Sequence, residues 1–137
     1  MSDTVFITGA SRGIGRAAAL TFAGAGYRVG VGYMNSREAA LSLIAEIADM
    51  GGMAQAVQGD VSSYQDAERM VREVKESLGT VDVLINNAGV SLVKLFTDTD
   101  DAQVRRVFDV NVFGAMNCAR AALPAMLAKK CSRPRVP

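Results

Sequence analysis

The residues with the clearest chemical potential are Thr8-Gly-Ala-Ser-Arg-Gly-Ile-Gly15, which come after a brief apolar run and lead into a segment with helical spacing. Glycines at 9, 13 and 15 permit positive φ and let the backbone come close to a phosphate, which a helix N-terminus favours with free N–H groups and a positive dipole. A tight strand-to-helix turn is the plainer reading, and G-x-x-x-G-x-G departs from the G-x-G-x-x-G fingerprint. The strand-turn-helix context at the first position in the chain favours anion binding by Gly9, Ser11, Arg12, Gly13, Ile14 and Gly15. Asp60-Val61 and Asn86-Asn-Ala-Gly89 each close a later apolar run. An Asp there either caps the next helix or faces a ligand, and Asn-Asn-Ala-Gly by itself reads as a turn. Asn111 falls on an apolar stripe of Val104, Val107, Phe108, Ala115, Ala119, Ala122 and Met126. A buried amide needs partners, so either the fold satisfies it or a site uses it.

These positions need elements to hold them. Thr4 to Thr8, Arg28 to Tyr33, Met53 to Gln58 and Val81 to Ile85 read as strands. Helical patterns fill the intervals: Gly13 to Gly26, Asn35 to Met50 (opened by Asn35 and Glu38), Ser63 to Gly79 (opened by Ser63 and Asp66), and Asp100 to about Lys130. The alternation implies an α/β fold with a doubly wound parallel sheet, its first and fourth strands adjacent where the winding reverses. Pro124 removes a hydrogen bond from the last helix and should bend it. Cys118 reads as a small core residue.

The chain has 137 residues, 50% hydrophobic and 21% charged, with a formal net charge of +1. That supports one domain with a core and gives no field for gripping nucleic acid. No apolar run reaches the roughly 20 residues of a membrane span. Ser2-Asp3 leads straight into a strand, so no signal peptide is expected and the protein is expected to be cytoplasmic. With no histidine and only Cys118 and Cys131, neither a His-based triad nor a zinc or other metal site is expected.

TGASRGIG resembles the cofactor-binding motif of the short-chain dehydrogenase/reductase family, particularly its 3-oxoacyl-(acyl carrier protein) reductase-like members. Asp60-Val61, Asn86 to Gly89 and Asn111 match further family motifs in order, and the similarity spans residues 4 to 128. It implies a Rossmann-type fold and hydride exchange between NAD(P)(H) and a ketone or secondary alcohol, the particular substrate being unreadable. By resemblance, Asp60 accepts from the adenine amine with Val61 beside it. Asn86 and Asn87 brace the sheet, Ala88 and Gly89 admit the cofactor, and Asn111 kinks its helix and serves the proton relay. An NAD site of this kind wants an acid after the second strand to hold the ribose 2′-OH. Here that segment is Tyr33-Met-Asn-Ser-Arg37, and Arg12 and Arg37 would welcome a 2′-phosphate, so NADP(H) is favoured over NAD(H). Either arginine alone could equally solvate a surface.

The family's Ser and Tyr-x-x-x-Lys are not found: the residues four beyond Tyr27, Tyr33 and Tyr64 are Val31, Arg37 and Glu68. Cys131-Ser-Arg-Pro-Arg-Val-Pro137 stands where the family's fifth strand would begin, and its prolines do not suit a central strand. The expectation is a cofactor-binding domain over 1–130, truncated or frame-shifted after the fourth βα unit, with an irregular tail over 131–137. Alternatives are a non-catalytic nucleotide-binding module or an inert fragment. A fourth strand without its neighbour, beside a partly uncovered last helix, should self-associate.

Overall fold

The computed structural model describes residues 2–132. Four parallel strands, β1 (Thr4–Ile7), β2 (Arg28–Tyr33), β3 (Ala54–Gln58) and β4 (Val83–Ile85), form one sheet in the order β3-β2-β1-β4. The helices between them are α1 (Gly13–Gly24), α2 (Arg37–Asp49) and α3 (Tyr64–Leu78). After β4 come a short 3-10 turn (Phe96–Asp98), α4 (Asp101–Phe108), a π-helical turn (Asp109–Phe113) and α5 (Gly114–Ser132). This is the doubly wound α/β arrangement that the alternation of strand and helix patterns implied. Val5 stands opposite Val29 on one side and Val83 on the other, so β1 is the sheet's interior strand at the reversal.

The strand period of two sorts the core into two layers. Val5 and Ile7 face α1 and α2, packing with Ala19, Ala23, Leu43 and Ile47. Phe6 faces the other side, with Val57, the α3 stripe Ala67, Met70, Val74 and Leu78, and Cys118 and Ala122 of α5. The glycines of β2 have a packing reason: a Cβ on Gly30 would lie 2.8 Å from a Val74 methyl and 3.1 Å from the Phe6 ring. Burial pushes the Cys118 thiol up to about 11, an inert core group.

Several local expectations need correction. Asn35 does not open α2; its carbonyl accepts the Arg37 N–H in a tight turn, and Ser36 takes the cap position. Ser63 caps α3 by accepting the Asp66 N–H at 3.3 Å, but the Asp66 carboxylate turns to the Asp60 N–H instead of closing a reciprocal box. The last helix carries a π turn, which inserts a residue and rotates the later turns about the axis. The face it buries is Val110, Gly114, Cys118 and Ala122, while Phe108 is 55% exposed and Asn111 is exposed rather than on a buried stripe. α5 runs on through Pro124 to Ser132, two residues into the segment expected to be irregular. The remainder of that segment, 133–137, lies outside the described residues. Among the described residues β4 has a strand neighbour on one side only. No helix among them is long and apolar enough to cross a membrane.

Candidate functional site

At the carboxyl ends of β1, β2 and β3 the chain leaves a cleft of about 300 Å³. The place is dictated by topology: β1 and β4 send their following segments to opposite faces, and the gap between them opens above the sheet. The β1 side is the glycine turn. Gly9 and Gly13 have φ of +62° and +60°, a conformation that bars most side chains. A Cβ on Gly15 would fall on the Gly9 carbonyl and the Asn87 amide, so α1 can approach the β4 loop only without one.

The first turn of α1 has no side-chain cap and no acidic residue. By contrast, Ser63 caps α3 and an Asp100–Gln103 capping box opens α4, while α2 also lacks a side-chain cap but carries Glu38 in its first turn. The α1 terminus therefore offers unpartnered N–H groups and the positive end of its dipole.

Four part-buried hydrogen bonds lock the β4 side to this turn. The Thr8 hydroxyl accepts the Asn87 and Ala88 N–H groups at 3.1 and 3.0 Å. The Asn87 side-chain amide donates to the Thr8 and Gly9 carbonyls at 3.1 and 2.9 Å. Asn86 points elsewhere, donating to the Ala115 carbonyl of α5. Asn111 lies within the π turn, where its Oδ1 accepts the Val90 N–H at 2.7 Å and its Nδ2 donates to the Val90 carbonyl at 2.8 Å. Its amide is thus satisfied by backbone and fixes the loop just beyond Gly89.

Asp60 stands after β3, half-buried. Its Oδ1 accepts both the N–H and the hydroxyl of Ser62, at 3.0 and 2.7 Å, and its Oδ2 accepts from Arg106 Nη1 at 3.1 Å. Partial burial alone would raise this carboxyl, but the Ser62 and Arg106 donors outweigh it and hold it below the ordinary 3.8. Asp60 is therefore a charged acceptor at neutral pH.

The structure brings Gly9, Ser11, Arg12, Asp60, Val61, Asn87, Ala88 and Gly89 to the walls of this one cleft. Gly13 and Ile14, both exposed, and buried Gly15 form the α1 turn without lining it. Ile14, 82% exposed, turns its side chain to solvent, so only its backbone serves that turn. Arg37 is not brought in; it lines a separate depression with Arg69 and Glu73 beside β3. Ser62 and Arg106 join the site although no sequence motif singled them out, and Thr8, the first residue of TGASRGIG, gains a role that the motif did not assign to it. Of the Arg105-Arg106 pair only Arg106 turns inward, which no spacing in the sequence could have shown. Among the described residues no group of three or more His, Cys, Asp or Glu side chains could hold a metal ion.

A profile of the short chain dehydrogenase family matches residues 3–133. The chain belongs to the short-chain dehydrogenase family. It is 38% identical over 130 residues to the 3-oxoacyl-(acyl-carrier-protein) reductase FabG of Staphylococcus aureus, covering 95% of this chain and 53% of the reductase. It is 43% identical over 124 residues to the L-rhamnose 1-dehydrogenase (NAD(P)(+)) of a Sphingomonas species, covering 90% and 49%. A dehydrogenase/reductase structure from Sinorhizobium meliloti superposes with a TM-score of 0.87 at 34% identity, covering 90% of this chain and 50% of that one. The chain thus spans about half the length of the curated short-chain dehydrogenases it matches.

Proposed function

We propose that the cleft binds a nicotinamide dinucleotide, NADP(H) in preference to NAD(H), and that this chain supplies the cofactor-binding half of an oxidoreductase interconverting a ketone and a secondary alcohol. The observation that carries this reading is the uncapped N-terminus of α1, entered through two positive-φ glycines and set at the cleft between β1 and β4. Its N–H groups suit the pyrophosphate. Asp60 and Val61 suit the adenine, and the small residues Ala88 and Gly89, which also line the cleft, suit the nicotinamide side.

The end of β2 supports the phosphorylated cofactor. Tyr33, Met34, Asn35, Ser36 and Arg12 line the cleft there, and the one carboxylate that lines it among the described residues, Asp60, is already bonded to Ser62 and Arg106. The Arg12 guanidinium and the polar Asn35-Ser36 corner suit a 2′-phosphate; Arg37, on the other side, would contribute little. Bound there, the cofactor would supply the hydride. Asn111 would keep the Val90 backbone in place, and so the Ala88-Gly89 wall beside the reacting ring. Residues 1–137 contain no Tyr-x-x-x-Lys, so a proton donor of that kind would be supplied from outside them.

Calorimetric titration with NADPH and NADH tests the reading. NADPH should bind more tightly, by the one or more charge-assisted contacts that Arg12 gives a 2′-phosphate, each about 1.5–3 kcal/mol. Arg12→Ala should erode that preference and Arg37→Ala should leave most of it. Equal affinities in the wild type would refute the NADP(H) assignment.

A further inference from the structure

Arg106 is the one cationic side chain of α4 that lines the cleft, and it reaches across three segments. Its Nη1 donates to Asp60 Oδ2 at 3.1 Å and to the Ser62 hydroxyl at 2.9 Å, while Nη2 lies 3.8 Å from the Met34 sulfur beyond β2. The Ser62 hydroxyl in turn donates to Asp60 Oδ1 at 2.7 Å. The three side chains close a ring. Oδ1 already accepts two hydrogen bonds and Oδ2 one, so the carboxylate keeps a single unused acceptor position on Oδ2. Turning the carboxylate would break several of these bonds together.

We propose that Arg106 is a positioning residue for Asp60: it fixes the carboxylate so that its remaining lone pair receives an exocyclic amine, and so makes the cleft select a 6-amino purine over a 6-oxo purine. The inference rests on the reading of the cleft as a dinucleotide site. An amine meets the carboxylate as donor to acceptor. A 6-oxo group sets lone pair against lone pair, and a carboxylate free to turn could avoid that contact.

The test compares NADPH with its hypoxanthine analogue, in which a 6-oxo group replaces the amine, by calorimetry on the whole 137-residue chain. The wild type should bind the analogue at least about tenfold more weakly, the loss of one charge-assisted hydrogen bond. Arg106→Ala and Arg106→Gln should reduce that ratio to about twofold, and Arg106→Lys, which keeps a cationic donor, should restore part of it. A role in folding alone would lower both affinities together and leave the ratio unchanged. Circular dichroism identifies the variants that fold. A wild-type ratio near one, or a folded Arg106→Ala or Arg106→Gln that keeps the wild-type ratio, overturns the proposal. Failure of the wild type to bind either dinucleotide overturns the cleft reading, and this inference with it.

Discussion

Replacing Thr8 with valine isolates the contact that ties the two halves of the cleft together. Thr8 is 2% exposed, and its hydroxyl accepts two backbone N–H groups from the β4 loop, those of Asn87 and Ala88. Valine has nearly the same shape, so no cavity forms, but the Ala88 N–H loses its acceptor and the Asn87 N–H keeps only the Ile85 carbonyl at 3.1 Å. A donor left unsatisfied away from water costs about 1–3 kcal/mol. The two loop residues are only half-buried, so water recovers some of this, and the expected loss, chiefly from the one orphaned donor, is about 1–3 kcal/mol. Against the roughly 5–15 kcal/mol of a typical domain that is a measurable fraction, worth a fall in Tm of roughly 3–10 °C at this chain length. Urea titration should show a lower midpoint with an unchanged slope. Thr8→Ser keeps the acceptor and should lose no more than about 1 kcal/mol, the value of its methyl group. A Thr8→Val protein within about 0.5 kcal/mol of wild type would show that the hydroxyl does not hold the loop.

Acid should expose the Asp60 network. Its carboxyl is held below 3.8 in the folded chain, so the stability it contributes is present above the unfolded value and is lost as pH falls through the folded one. Asp60→Asn should therefore flatten the acid limb of a stability-against-pH curve below about pH 4, and an unaltered limb would contradict the assignment. The chain should show no NADPH oxidation with small ketones, aldehydes or acyl thioesters, because a developing alkoxide needs a proton donor and Asn111 does not titrate near neutrality. Turnover by clean protein, abolished in Gly13→Val, would contradict this. Sedimentation should reveal self-association: β4 is paired on one side only among the described residues, and Phe108, Phe113, Met116, Leu123 and Leu127 are exposed along α4, the π turn and α5. A concentration-independent monomer would refute it.

The sheet is legible in the sequence because its signals are local. Val5, Phe6 and Ile7 form a buried apolar run, the glycine turn comes at once after it, and the apolar stripe of α3 keeps one helical period throughout. The last helix departs from its sequence pattern for a physical reason. Apart from the family resemblance that marks Asn111 as a kink, nothing in the side-chain pattern announces the π turn at Asp109–Phe113, and one inserted residue displaces the buried face onto Val110, Gly114, Cys118 and Ala122. Arg37 and Arg12 look alike in sequence, yet a tight turn at Asn35 aims Arg37 at the outer edge of β3 while Arg12 faces the cleft. Arg106 is invisible there because its partner, Asp60, is 46 residues away and meets it only once α4 is laid across the strand ends.

If the first turn of α1 receives the pyrophosphate of a dinucleotide, its own amides must respond to the ligand. Amide chemical shifts measured by nuclear magnetic resonance during titration with NADPH read that response. Saturable shifts of the Gly13, Ile14 and Gly15 amides are expected, accompanied by those of Ala88 and Gly89. Saturable binding that leaves those amides unmoved, or that shifts only residues around Arg37 and Arg69, would mean that the dinucleotide does not sit on the α1 terminus.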